Sequence, residues 1–413
     1  MTTYALRIWG GPNRPSPWSL LAALVLLPIF VGCAPSGTRS TAKNTPSSTD
    51  IVAPYQMPAL SIQAAWGNVM TRTQPTVLPD NHLFVFDNAV TPDGKWLVGV
   101  VQPRDFISNT TRPSFMSLYN VDTGEIKTLQ QLLHPQSQVL GASADDNWIV
   151  WSEAPDQPNF ADWTLWAYNL QSGQVVQVAR AAQDNGQPVH GPYPLPMVEQ
   201  GQLLWSQAIG PISQNDLTNA VVRLDDLATG TTMTLATRAG SSILAWPWAA
   251  WDQSVPGGDG YVALKNLVTG QPTKLEQQPK FVTLYGTSMV YADAASVYLL
   301  EDFTKSTTGE QTVFSSANNS GETTDHPQYP SLNSRIVGWT SYVTTQVFDR
   351  AEKRLVTLPS PNGPAVTWVV GRLLVWLTPE PKAQQDQDSQ AGLTPATTIH
   401  VIDTSTLPAP PAH

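Results

Sequence analysis

From Thr91 to Leu129 the chain alternates between short apolar runs and turn signals, a pattern that predicts three strands. Asp93-Gly94 makes a tight turn into the apolar run Trp96 to Val101. Phe115 to Tyr119 then alternates and ends at Asp122-Thr123-Gly124, a short hairpin signal, and Glu125 to Leu129 is the return strand. The same pattern is rewritten down the chain. A second unit, Val139 to Val178, turns at Ser172-Gly173, and the next three turn at Thr229-Gly230, Thr269-Gly270 and Thr308-Gly309. A sixth turns around Ala351-Glu352. The seventh, Trp368 to Glu380, is interrupted by the polar low-complexity segment Pro381 to Thr398, expected to be a loop, before its last strand.

Gly124, Gly173, Gly230, Gly270 and Gly309 stand 39 to 57 residues apart. A period of about 40–50 residues with three or four strands per unit is the signature of a β-propeller blade. The expectation is an all-β fold, a single seven-bladed propeller, with six or eight blades as the alternatives. Trp151, Trp205, Trp251, Tyr291, Trp339 and Trp376 each close the first strongly apolar strand of a unit. That periodic placement fits packing between blades better than a stacking site for a cofactor or sugar. Unit seven has no outer strand, because the chain ends in TLPAPPAH. Part of Pro54 to Leu78 is expected to supply it and fasten the ring, with Leu60 to Trp66 as the chosen segment.

Asp93-Gly94-Lys95-Trp96 and Ala144 to Trp151 resemble the "PDGK, apolar strand, aromatic" core of TolB-like propeller repeats, and Leu118 to Glu125 is similar to their second half. The motif is clear in units one and two and eroded afterwards. The resemblance implies a propeller of the bacterial cell envelope engaged in protein contacts, and it carries no catalytic residues to transfer.

The N-terminus changes the picture of where such a ring would sit. Arg7 and Arg14 precede an apolar run, Trp18 to Gly32, of fifteen residues. A membrane span needs roughly twenty, so the run predicts a signal peptide. It ends at Cys33, the only cysteine, in a setting that resembles a bacterial lipobox, where the Cys is lipidated and becomes the new N-terminus. An uncleaved anchor or an ordinary secretory signal is the alternative. The predicted organisation is therefore a signal peptide at 1–32 and a lipidated Cys33 with a flexible tether at 33–53. The propeller follows at 54–408, with 381–398 inserted, and a tail at 409–413. Without residues 1–32 the chain carries 20 basic and 32 acidic side chains, a net charge of −12. Such a surface disfavours nucleic acid, and membrane attachment is left to the lipid.

Candidate chemistry is sparse. No G-x-S-x-G, H-E-x-x-H, phosphate-cradling G-x-x-x-x-G-K or calcium loop is present. Asp145-Asp146 and Asp225-Asp226 read as turn residues. No catalytic residue, metal or cofactor is nominated. Four histidines, His82, His134, His190 and His326, each precede the inner strand of a unit, and Tyr193 and Tyr329 accompany two of them in His-x-Pro/Gln-Tyr-Pro settings. In a propeller those connections share one face around the mouth of the central channel, so the six are candidate ligand contacts, expected to form a rim rather than a tight metal centre. Plain loop packing is the competing reading. The function expected is a non-catalytic scaffold, anchored outside the cytoplasmic membrane, that binds an envelope protein or peptide at the channel mouth. The alternative is an extracytoplasmic enzyme acting on envelope glycans or peptides from the same place.

Overall fold

A computed structural model describes residues 53–409, apart from 107–110, 156–159, 213–216, 259, 276–279, 306–308 and 317–324. The signal segment, Cys33 and the tether to residue 52 lie outside the described residues.

Seven four-stranded antiparallel blades follow one another; in six of them the four strands run in sequence order from inside to outside, and the seventh takes its outer strand from the N-terminal segment. The inner strands are His82–Val90, Gln138–Ala144, Met197–Glu199, Ala239–Ala245, Lys280–Tyr285, Gln328–Leu332 and Val366–Val370. They touch one another in turn, and the seventh touches the first, so the ring is closed. The second strands are the most buried; Ser288–Ala292 and Ile336–Thr340 are buried along their whole length. A strand covered on both faces needs no polar alternation, which is why these stretches read as continuous apolar runs. Outer strands such as Thr231–Thr237 are largely exposed.

Seven apolar clusters fill the seven interfaces between blades. Trp151 packs with Val98, Val100 and Met116 of blade one. Trp205, Trp251, Tyr291, Trp339 and Trp376 do the same against blades two to six. All six aromatics are at most 7% exposed, which settles them as core. Phe84, Phe86 and Leu97 of blade one meet Trp368 and Val375 of blade seven and close the circle.

The ring is fastened by part of Pro54 to Leu78, as expected, but the pairing segment is not Leu60 to Trp66. Arg72–Pro75 is the outer strand of blade seven, antiparallel to Thr397–Asp403, with Thr73 opposite His400. Leu60–Ser61 instead pairs in parallel with Val356 and Thr357 on the rim of blade six. Ile62–Trp66 is a short helix, capped by Ser61 Oγ accepting from the Ala64 amide at 3.1 Å. That Ser N-cap is the physical reason the segment coils rather than extends. Trp66 from this helix inserts beside Trp376 and donates its indole N–H to Asp349 Oδ2 at 2.7 Å. The strap thus runs along the rims of three blades, since Pro54–Gln56 lies against the outer strands of blades five and six.

The insertion in blade seven is a second correction. Lys382–Gln390 is a helix, and Thr397 and Thr398 already belong to the following strand. Lys, Ala and Gln are good helix formers and the stretch lacks Gly and Pro, but its polar face all round gives no apolar period to read. Asp388 on this helix forms a buried ion pair with Arg104 from blade one, whose Nε also donates to Thr394 O at 3.3 Å.

One device recurs at the end of every third strand. Asn120, Asn169, Asp226, Asn266, Asp302, Asp349 and Asp403 each accept a backbone N–H two residues on, and Asn120, Asn169, Asp226, Asn266 and Asp349 a second at three residues. In blades one to six these Asx turns fix the hairpins to the outer strands, and in blade seven Asp403 instead caps the short 3-10 helix Thr404–Thr406. They share a face, here called the turn face, with the turns between inner and second strands. There Asp145 caps its own turn and accepts from Gly201 N of the next blade at 2.7 Å. Asp145 and Asp226 are therefore turn residues, as their pattern predicts.

Candidate mouth-face binding site

Connections into the inner strands and the loops after the second strands share the opposite face. His82, His134, His190 and His326 all lie on it, because each precedes or opens an inner strand. It does not join them into one centre: no hydrogen bond links any of the four rings to another, and among the described residues no group of three His, Cys, Asp or Glu is placed to hold a metal. His82 Nδ1 sits 2.9 Å from Asp80 Oδ2. His134 and His190 are exposed on their loops. His326 is exposed too, with Nδ1 held 2.8 Å from Ala294 O. Tyr193 turns inward and meets Phe160 edge-on at 5.6 Å, packed on the core between blades two and three.

Tyr329 is different, and it shows what the inner strands do here. Five of them carry a bulge, between Phe86 and Ala89, Val139 and Gly141, Gly240 and Ile243, Lys280 and Thr283, and Gln328 and Ser331. Bulges re-aim side chains. In blades five and six the bulged residue is aromatic and left-handed: Phe281 has φ 53° and Tyr329 φ 50°. A bulky side chain in that region is strained, on the order of 1–3 kcal/mol, and such strain collects at functional places. The two rings meet across the blade boundary, 5.1 Å apart.

Beside them the loop Ser341 to Thr345 raises Tyr342 and Val343, 52% and 60% exposed, into solvent. Its shape is held by buried Asp325, which accepts from Ser341 Oγ, from Tyr342 N at 3.2 Å and from His326 N at 2.8 Å. One carboxylate therefore fixes both His326 and Tyr342. Burial, with Tyr342 nearby, pushes the Tyr329 phenol up to about 12, so it stays a neutral donor. Sequence reasoning found His326 and Tyr329 but missed Phe281, Tyr342 and Val343. The available signal was the alignment of Lys280-Phe281 with Gln328-Tyr329 at the same bulge, which needs strand registers to be seen.

Three of the perturbed carboxyls near this face stand out. Glu153, at the end of a second strand, is fully buried; desolvation raises it to about 7 against hydrogen bonds from Trp166 Nε1 at 2.8 Å and Leu133 N at 3.3 Å. Asp252 is open to solvent yet crowded by protein atoms, which lifts it to about 6 despite a bond from Ser241. Burial alone raises Asp87, at the blade-one bulge, well above its usual range. Enclosed, Glu153 serves as a cap on the loop at Leu133 and offers nothing to a ligand.

No protein-family model and no curated protein matches the sequence. Among solved structures, one from a study of two prolyl endopeptidases is similar over 75% of this chain and 46% of its own, with 10% identity and a TM-score of 0.50. TolB from Acinetobacter baumannii is similar over 66% of this chain and 65% of its own, with 11% identity and a TM-score of 0.43. An uncharacterized protein from Listeria monocytogenes EGD-e covers 74% and 91%, with 9% identity and a TM-score of 0.47. This chain thus spans less than two thirds of the first two proteins. Likeness at such identities speaks for the propeller fold alone. No helix among the described residues is long and apolar enough to cross a membrane.

Proposed function

We propose that this chain is a cell-envelope scaffold, held by a lipid on Cys33, that binds a protein or peptide on its mouth face without performing chemistry. The observation that carries this reading is the strained pair Phe281 and Tyr329 with Tyr342 and Val343 beside it. Leu133, Ile209, Val255, Phe281, Tyr342 and Val343 are exposed on this face, while Val268 and Tyr285 are exposed on the turn face and Met70, Val176 and Met233 on the strap and outer strands. Aromatic side chains displayed on rigid strands are the composition of recognition surfaces, because they bury much area at small entropic cost. His326 and Tyr329 would contribute polar contacts within this patch, with His82, His134 and His190 further round the rim.

The anchor fits the same arrangement. The strap brings the chain to residue 53 at the rim of blades five and six, so a lipid on Cys33 would leave the mouth face open. Twenty residues of polar tether give a reach of about 25 Å. To test the reading, envelope proteins are captured on wild-type chain and on a Tyr342→Ser, Val343→Ser double variant, both exposed positions. Retention of the partner should fall at least tenfold, while Val268→Ser on the turn face leaves it unchanged. Equal capture by the wild type and the double variant would refute the proposal.

A further inference from the structure

The turn face carries a second feature, independent of the aromatic patch. Between blades one and two lies a cavity of 370 Å³ whose walls include Asp93, Trp96, Leu118, Lys127, Asp146 and Leu170. Each wall has a distinct character. Trp96 is half-buried, and its indole N–H has no hydrogen-bond partner among the described residues. Leu118, almost fully buried, and Leu170, half-buried, are the apolar lining. Asp93 spends Oδ1 on Thr91 Oγ1 at 2.7 Å and Lys95 N at 3.1 Å, leaving Oδ2 outside that turn. Asp146 is exposed and has neither an ion pair nor a hydrogen bond among the described residues, unlike its neighbour Asp145. Lys127 does not neutralise it, because its ammonium lies over the Tyr168 ring, 5.7 Å from the centroid.

We infer that this cavity binds a guanidinium group, the side chain of a peptide arginine. Among the lining side chains two carboxylates stand against one ammonium; Arg372, which pairs with Asp403, also faces Asp93, so the carboxylate left without a partner among the described residues is Asp146. A planar guanidinium stacks on an indole face and forks onto a carboxylate, which an ammonium does less well. Its three methylenes match the leucine surface. Neutral sugars would use the tryptophan but not the charge, and anions would be repelled by Asp93 and Asp146.

The charge arrangement makes a signed prediction. In the full chain, purified in detergent, N-acetyl-argininamide is titrated while the Trp96 indole N–H resonance is followed, assigned by its loss in Trp96→Phe. The expected dissociation constant is of order 1 mM, as for one exposed group with a single stacking partner. Asp146→Asn should weaken binding about threefold and Lys127→Met should strengthen it by a similar factor, since one removes an attraction and the other a repulsion. N-acetyl-citrullinamide, neutral but the same shape, should bind at least threefold more weakly. Agmatine binding better than the capped arginine would point to a small amine instead of a peptide and overturn the proposal. So would equal binding of the citrulline compound, weaker binding after Lys127→Met, an unchanged affinity in Asp146→Asn, or no shift at concentrations of order 10 mM.

Discussion

Trp66 is the point at which the strap can be pulled from the ring. It is 3% exposed and belongs to the core between blades six and seven. Trp66→Ala removes a large buried ring, which at comparable core positions costs about 3–5 kcal/mol. It also removes the 2.7 Å bond to Asp349, a fully buried carboxylate. That acceptor is not orphaned, because Arg335 keeps Nε 2.8 Å from Oδ1 and an NH2 group 2.9 Å from Oδ2. The hydrogen bond therefore adds only about 1 kcal/mol. For a chain of this size about 1 kcal/mol corresponds to about 2 °C, so Trp66→Ala should lower the calorimetric Tm by about 8–12 °C. Trp66→Phe, which keeps most of the apolar contact, should lower it by about 2 °C. A Trp66→Ala protein melting within about 2 °C of wild type would show that the strap is only more tether, and the account of ring closure would fall.

Further outcomes follow from single sites. Burial raises Glu153 from 4.5 to about 7, so the native state keeps a proton that the unfolded chain releases. Stability should therefore be greatest below pH 4.5 as far as this group is concerned and fall as pH rises through 7, by on the order of 3 kcal/mol. Urea melts across that window should show the slope, and Glu153→Gln should flatten it. A Cβ on Gly99 would meet Val85 O at 2.1 Å, a backbone atom with no room to yield. Gly99→Ala should cost about 1–3 kcal/mol or more, seen as a lower urea midpoint. Cys33→Ser should leave an unprocessed precursor or release the protein from the membrane fraction, and normal processing with membrane retention would end the lipoprotein reading.

Much of the ring was legible because a blade cannot bury its faces alone. Trp151 to Trp376 recur where the second strands of blades two to seven meet their neighbours, and the repeated units with their turn glycines set the expected count of seven blades. What stayed hidden lay where local chemistry outweighs period. Ser61 caps a helix in a stretch that reads as a strand, and Lys382–Gln390 is helical with no apolar stripe to show it. The turn glycines were visible while most of the Asx residues before them, Asp226 apart, were not, since Asn120 or Asn266 looks like any polar turn residue until its two accepted bonds are seen. The site was read from loops, where His134 and His190 are simply exposed. Phe281 came into view only through strand register, because a bulge is what turns an inner-strand aromatic toward its neighbour in the next blade.

The mouth face is the central claim, and site-specific photocross-linking in living cells tests it most directly. A benzophenone amino acid placed at Tyr342 should give a discrete cross-linked product that disappears when Val343→Ser and Phe281→Ser are added. The same group at Val268, still more exposed on the turn face, should give none of that product. The same product from both faces, or none from Tyr342, would contradict the account.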